Sequence, residues 1–267
     1  MQRLAAVYQL TLPQLLDGAG INLHGYGTLP AAELHLNHNA ARHLAVLART
    51  PLPHLMRALP CLGPNDAAHS TEAAAHWKRL EAGQQSVRAC TLCTLHRSHN
   101  ATDTAWVQPA PHRLMCPRHH QAAPDPRLTS TLRTHTAPEL TAAHYAHQRL
   151  LRHPHAATAW TAARAITTRW YDHQQHLTHR WHTRLNQLRA ANPHLTTTSS
   201  ASPALLTRDL ITYPETVTLA RALATLRNRP HRDTGKALNL IARRLSLARL
   251  TPNANDPLRV FITHTRH

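Results

Sequence analysis

The sequence predicts a mainly α-helical protein. Its parts are a short-helix, helix-turn-helix-like N-terminal region, a small central ribbon clamped by Cys and His, and a helical C-terminal half. Three observations carry this. The chain has 267 residues, 42% of them hydrophobic, yet only one Phe. Ala and Leu dominate its apolar set and favour packed helices over sheets. Apolar residues recur at steps of three, four and seven through most of the chain. Two pairs of metal-ligand residues, each with a two-residue gap, sit in the middle. The expected segments are 1–86, 87–123, 124–198 and 199–267.

Residues 2 to 59 read as a run of short helices. Leu4, Val7 and Tyr8 share a face. Leu12, Leu15 and Leu16 share the next, which Gly18 and Gly20 end. This pair fits a helix-turn-helix or an ordinary helical hairpin. A third helix is expected over Asn39–Ala48, with Leu44 and Leu47 inward. Thr50-Pro51 marks a helix start, Thr as cap and Pro at the first helical position. Leu52, Leu55, Met56 and Leu59 line that helix, and Cys61 follows as a thiol without a role. Ser70–Leu80 is expected to be a helix carrying Trp77.

Beyond the Pro-rich stretch Pro124-Asp125-Pro126, helical spacing returns at Leu140, His144, Leu150 and Leu151. One longer helix is expected from about Thr158 to Ala190. Trp160, Ile166, Trp170, Leu177, Trp181, Leu185 and Leu188 form its buried stripe. Arg164, Arg169, Arg180, Arg184 and Arg189 form its opposite face. The three Trp read as core residues rather than base-stacking platforms. Two further helices, Pro203–Leu210 and Pro214–Leu226, flank Thr212-Tyr213. Gly235–Leu245 is the next, with Leu238, Ile241 and Leu245 inward. No internal repeat or heptad run is present.

The central constellation reads Cys90-x2-Cys93-x22-Cys116-x2-His119. A two-residue gap lets a tight knuckle present two ligands to one ion, and two knuckles close a tetrahedron of thiolates and imidazole, which suits Zn2+. His119 keeps the two-residue gap; His120 beside it competes, and His96, His99 and His112 do so more weakly. Four protein ligands leave no open position, so the zinc is expected to be structural. Closing the site supplies on the order of 10 kcal/mol of folding free energy. Thr104–Gln108 is a strand candidate within the resulting zinc ribbon.

The formal charge is +17, from 30 Lys plus Arg against 13 Asp plus Glu. Arg predominates, since Lys occurs only at Lys78 and Lys236. Such a surface repels itself unless something anionic covers it, and Arg forks fit phosphate oxygens and guanine edges. A compositional bias toward Ala, Arg, Pro, His and Thr is the competing reading. The 25 His are scattered and read mostly as solvated surface. From Arg221 onward ten basic residues face only Asp233 and Asp256. Candidate DNA-contacting residues are Arg227, Arg229, Arg232, Lys236, Arg243 and Arg244, on two helices joined by a basic turn, a second helix-turn-helix candidate. A solvated basic face is the alternative.

No run of 18 apolar residues points to a membrane span. The start, Met1 to Val7, lacks a secretory signal, and four Cys suit a reducing cytoplasm. No Gly-rich phosphate loop, Gly-x-Ser-x-Gly or His-Glu-x-x-His is present. The chain is therefore not expected to be an enzyme or to take a small-molecule substrate.

Val87-Arg88-Ala89-Cys90-Thr91-Leu92-Cys93, a later Trp106, and Leu114-Met115-Cys116-Pro117-Arg118-His119 resemble the zinc segment of TniQ proteins, the TnsD branch included. Arg3-Leu4-Ala5, Leu15-Leu16 and the Leu44–Met56 region look like that family's N-terminal helices. The resemblance covers roughly residues 1 to 125 and is to the stand-alone, actinobacterial-type members. It implies an accessory protein of Tn7-like transposition that helps choose the insertion target by binding double-stranded DNA or joining a targeting complex. It also implies a transposase or an AAA ATPase as partner. The family's usual Pro- and Gly-Glu-Ser-containing segment before the Arg-Leu-Ala helix is lacking, which points to a truncated or misassigned start. The usual Pro after the first Cys is Thr91 here. A transcriptional regulator, or a mobile-element DNA-binding protein with no part in transposition, is the alternative reading.

Overall fold

The computed structural model describes residues 1–29, 31–58, 72–80, 85–108, 110, 112–198, 200–228 and 233–264. About half of the described residues are helical, and the strands are short. The chain divides into two compact units, Met1–Pro109 and Ala110–His267. Cys61, Arg229 and Arg232 lie outside the described residues.

The first unit opens with α1 (Gln2–Val7) and α2 (Leu12–Gly18). Thr11 and Gln14 close a reciprocal capping box at the start of α2. Residues 20 onward then depart from the all-helical expectation. Strands β1 (Asn22–His24) and β2 (Ala32–Leu36) form, followed by helices α3 (His38–Leu47) and α4 (Leu52–Ala58). Leu44 of α3 is buried and Leu47 half-buried. The Thr50 hydroxyl, expected to cap α4, donates back to the Ala48 carbonyl at 3.0 Å.

The helix expected over Ser70–Leu80 is instead a strand among its described residues, β3 (Ala74–Arg79). It is the centre of a three-stranded sheet, parallel to β1 and antiparallel to β2. The Ala-rich run has helical propensity, but pairing on both edges and burial override it. Ala75 is fully buried in one core with Ala40, Ala41 and Leu44 of α3, where its small side chain permits close approach. Asn37 fastens the two together. Its side-chain oxygen accepts from the Ala40 and Ala74 amides at 2.8 and 3.2 Å, and its amide group donates to the Glu72 carbonyl at 2.7 Å. Trp77 packs against Gly27, where an added Cβ would fall 2.6 Å from the Trp77 Cβ and Cγ. The unit closes with β4 (Val87–Arg88) paired antiparallel to β5 (Trp106–Val107), with α5 (Thr91–Arg97) between them.

The second unit begins with a small antiparallel sheet, β6 (Met115–Cys116), β7 (Gln121–Ala122) and β8 (Leu132–Arg133). Helices α6 (Pro138–Leu150), α7 (Ala156–Asp172), α8 (Thr178–Ala191), α9 (Pro203–Leu206), α10 (Arg208–Asn228), α11 (Thr234–Arg244) and α12 (Pro257–His264) follow. Helix α10 is the hub. It packs against α6, α7, α8, α9 and α11 and buries residues nearly all round.

Three expectations are corrected here. The single helix over Thr158–Ala190 is two helices, because Gln174 and His176 take left-handed backbone conformations (φ 51° and 57°) and turn the chain. The apolar stripe is nonetheless buried, with Trp170 and Trp181 fully enclosed and Trp160 half-buried. The three Trp thus sit on two helices, not one face. The second correction concerns Pro214, which was expected to open a helix. It lies inside α10, and Pro203–Leu206 alone forms the separate short turn. A Pro within a helix leaves the carbonyl four residues back without its donor and costs about 3 kcal/mol. Next to that position, the Ile211 carbonyl accepts a hydrogen bond from the Arg184 guanidinium. Arg184, expected on the solvent face, is therefore buried. It forks onto Glu215 at 2.9 and 3.0 Å and reaches Glu139 at 2.8 Å. Trp181 donates to the same Glu215.

Candidate metal centre

The first knuckle sits where β4 hands over to α5. Cys90 takes the N-cap position, and its carbonyl accepts the Thr94 amide at 2.9 Å, so the chain turns at once into a helix. Cys93 lies within that first turn, three residues on, and faces the same way. The Ala89 amide donates to the Ala105 carbonyl and ties the knuckle to the strand pair. Beyond α5, His99 and Asn100 turn the chain through left-handed conformations (φ 51° and 65°). The Ser98 hydroxyl, buried, holds that return by donating to the Thr102 carbonyl at 2.9 Å. Trp106 receives the Arg88 guanidinium over its ring at 5.0 Å.

The second knuckle is the hairpin between β6 and β7. Cys116 ends β6, and His119 follows across the turn with Nδ1 3.7 Å from the Cys116 sulfur. Zinc bonds of about 2.3 Å to sulfur and about 2.0 Å to nitrogen place such ligand atoms roughly 3.6 Å apart in a tetrahedron, so the spacing suits a shared ion. His120 takes φ 49°, which turns its ring away to hydrogen-bond Thr141 at 3.2 Å. The backbone thus separates two adjacent histidines that spacing alone left in competition.

Ligand atoms of Cys90, Cys93, Cys116 and His119 all lie within 4.8 Å of one another, and the four residues can hold one metal ion. His96, His99 and His112 are not part of this group. Three sulfurs and one imidazole, with no carboxylate, form a soft donor set that suits zinc and not magnesium or calcium. Each ligand is half-buried. Beside Cys93, burial and then the neighbouring Arg97 hold the Arg3 guanidinium below its ordinary value, while Cys93 pulls it upward.

The basic candidates fall on exposed surface where they are described. Arg227 is exposed near the end of α10, and Lys236, Arg243 and Arg244 are exposed on α11. None of these four side chains makes a hydrogen bond or ion pair among the described residues. By contrast, Arg127, Arg164, Arg184 and Arg208 are spent on internal carboxylates.

A second polar cluster centres on His147, which the sequence reading did not single out. His144 and His147 on α6 are buried. His147 shares a hydrogen bond of 3.1 Å with the Tyr213 hydroxyl and stacks on Trp160 at 4.0 Å. Burial, then His112 and His144, push its pKa down to about 4. Burial pushes the Tyr213 hydroxyl upward. The signal was present in the spacing Leu140, His144, His147, which sets both His on the apolar stripe of α6. No helix of the described residues is long and apolar enough to cross a membrane.

No family model, no curated protein and no solved structure matches the chain.

Proposed function

We propose that this chain is a TniQ-like, zinc-containing DNA-binding accessory protein that takes part in target recognition for transposition. The observation that carries the reading is the gathering of Cys90, Cys93, Cys116 and His119 within one ligand sphere, in the segment whose motif resembles TniQ proteins. Zinc there is structural, because four protein donors fill the tetrahedron and leave no position for water or substrate. Thiol ligands need a reducing compartment, which supports a cytoplasmic location. The net charge of +17 supports a polyanion as partner. Duplex DNA is that partner here, with a transposase or AAA ATPase joining through the family resemblance. The pair α10–α11, with Arg227, Lys236, Arg243 and Arg244, is the DNA-contacting element, and α1–α2 is its alternate.

The test is duplex binding followed by fluorescence anisotropy across a salt series, using the purified zinc-loaded chain. Log affinity should fall linearly with log salt, and a variant with Lys236, Arg243 and Arg244 changed to Ala should give a slope flatter by about 0.9 per lost phosphate contact. No duplex binding at low salt, or an unchanged slope, overturns the assignment. Sequencing of genomic fragments captured by the chain separates the transposition role from that of a transcriptional regulator. Enrichment at recurrent insertion points supports the first, and enrichment at promoters alone overturns it.

A further inference from the structure

We propose that α11 is a base-reading helix, with Asn239 and Arg243 as its specificity-determining residues. This rests on the duplex-DNA reading above and goes beyond it, since phosphate contacts position a protein without reading sequence.

The helix is split cleanly into two faces. Ala237, Ile241 and Ala242 are buried, with Leu245 just beyond the end, and they seat α11 against the core. Lys236, Asn239 and Arg243 are exposed, while Leu240 beside them is half-buried and packs against the core. These three exposed residues, at i, i+3 and i+7, make one outward stripe. Arg244 adds a cation at its edge. No acid lies on α11 itself, and the Asp233 side chain is spent as N-cap, accepting the Gly235 amide at 2.7 Å. The far end is fixed too: Arg180 donates to the Leu245 and Ser246 carbonyls at 2.6 and 2.7 Å. A helix capped at one end and clamped at the other presents its outward face in one orientation, as readout requires.

The residue types match base edges. A side-chain amide pairs with adenine N6 and N7, and an Arg fork with guanine O6 and N7. The 11 residues of α11 span about 16 Å, and a helix about 10–12 Å across enters the major groove, which is about 12 Å wide. Charge complementarity names the occupant: ten basic residues against two acidic ones from Arg221 to the end. Asn239 and Arg243 then read bases, while Lys236 and Arg244 flank them on phosphates.

The test is site selection from a randomised duplex library by the full, zinc-loaded chain, repeated for Asn239→Ala, Arg243→Ala and a Lys236→Ala/Arg244→Ala double variant. The wild-type chain should select a short motif. Asn239→Ala should lose preference at one adenine and Arg243→Ala at one guanine. Each should bind the wild-type motif at least roughly ten-fold more weakly, with binding to unrelated duplex much less affected. The double variant should weaken all sequences alike. Circular dichroism confirms the fold, and Asn239→Gln, which keeps the amide fork, should retain adenine preference. Duplex binding with the motif unchanged in both single variants, or with no motif at all, overturns this inference and leaves the DNA reading standing. Absence of any duplex binding, or tighter binding to single-stranded RNA, overturns both.

Discussion

At His119 and His120, one backbone torsion decides which of two neighbouring rings can reach a metal. Spacing favoured His119 but left His120 open, and the left-handed turn at His120 settles the geometry. His119→Ala should cut zinc occupancy well below one equivalent per chain, and Cys93→Ser should do so with loss of fold. His120→Ala should keep full occupancy and lose only the Thr141 contact. Metal analysis of the purified variants checks this, and the reverse pattern would reassign the ligand. The cluster of Cys90, Cys93, Cys116 and His119 was legible because its members come as local pairs, and a two-residue gap constrains geometry without knowledge of the fold. His147 was legible only through its place on the apolar stripe of α6, a signal diluted among 25 histidines. Its depressed pKa has a consequence of definite sign. Unfolded histidine binds a proton near pH 6.5, whereas native His147 does so only near 4. Its stabilising contribution is complete above pH 6.5 and is lost as pH falls through that window, by up to about 3 kcal/mol. His144, also held down by burial, adds in the same direction. Urea unfolding across pH 4 to 7 should show this slope, and His147→Asn should flatten it while lowering stability at pH 7.

At the scale of elements, the departures from expectation have separable causes. Strand β2 carries a period-two signal, Ala32, Leu34 and Leu36 buried between Glu33 and His35, in five residues. A helical reading passes over so short a run. Strand β3 opens on alanines and is made a strand by its two neighbours. The break between α7 and α8 has no Gly or Pro to announce it, since Gln174 and His176 adopt the left-handed conformation themselves. Pro214 errs the other way: it announces a break that packing on five neighbouring helices overrides. The Arg184–Glu215 pair lies against that proline turn and has no local sequence signature, because its members are 31 residues apart. Its energetics are asymmetric. Glu215→Leu leaves the buried guanidinium with Glu139 and a carbonyl, and should cost about 3–5 kcal/mol. The double variant Arg184→Met/Glu215→Leu removes both charges and should be markedly milder, despite losing the Ile211 and Trp181 contacts. Chemical denaturation of the two proteins decides it, and equal destabilisation would mean that packing, not charge, dominates the site.

For the molecule as a whole, the dominating quantity is the excess of positive charge. Thirty basic residues face 13 acids, and several of those acids are already committed to Arg127, Arg164, Arg184 and Arg208. The remaining cations repel one another, and that repulsion opposes the compact state. Salt screens it, with a Debye length of about 10 Å at 0.1 M. Without a partner, raising salt from 0.05 to 0.5 M should therefore raise the thermal midpoint. A duplex that binds only the native state adds its own stabilisation, about 2.7 kcal/mol when free DNA stands at a hundred times its dissociation constant. That term must shrink as salt rises, because the same ions that screen the protein also compete for the phosphates. The two effects have opposite salt dependence, so their sum is diagnostic. At 0.05 M, duplex DNA should lift the midpoint by several degrees. At 0.5 M the midpoints with and without DNA should converge, the free protein having risen to meet the complex. A midpoint that falls with salt in the absence of DNA would show that internal ion pairs outweigh the repulsion. A midpoint indifferent to DNA at low salt would remove duplex DNA as the polyanion that this charge serves.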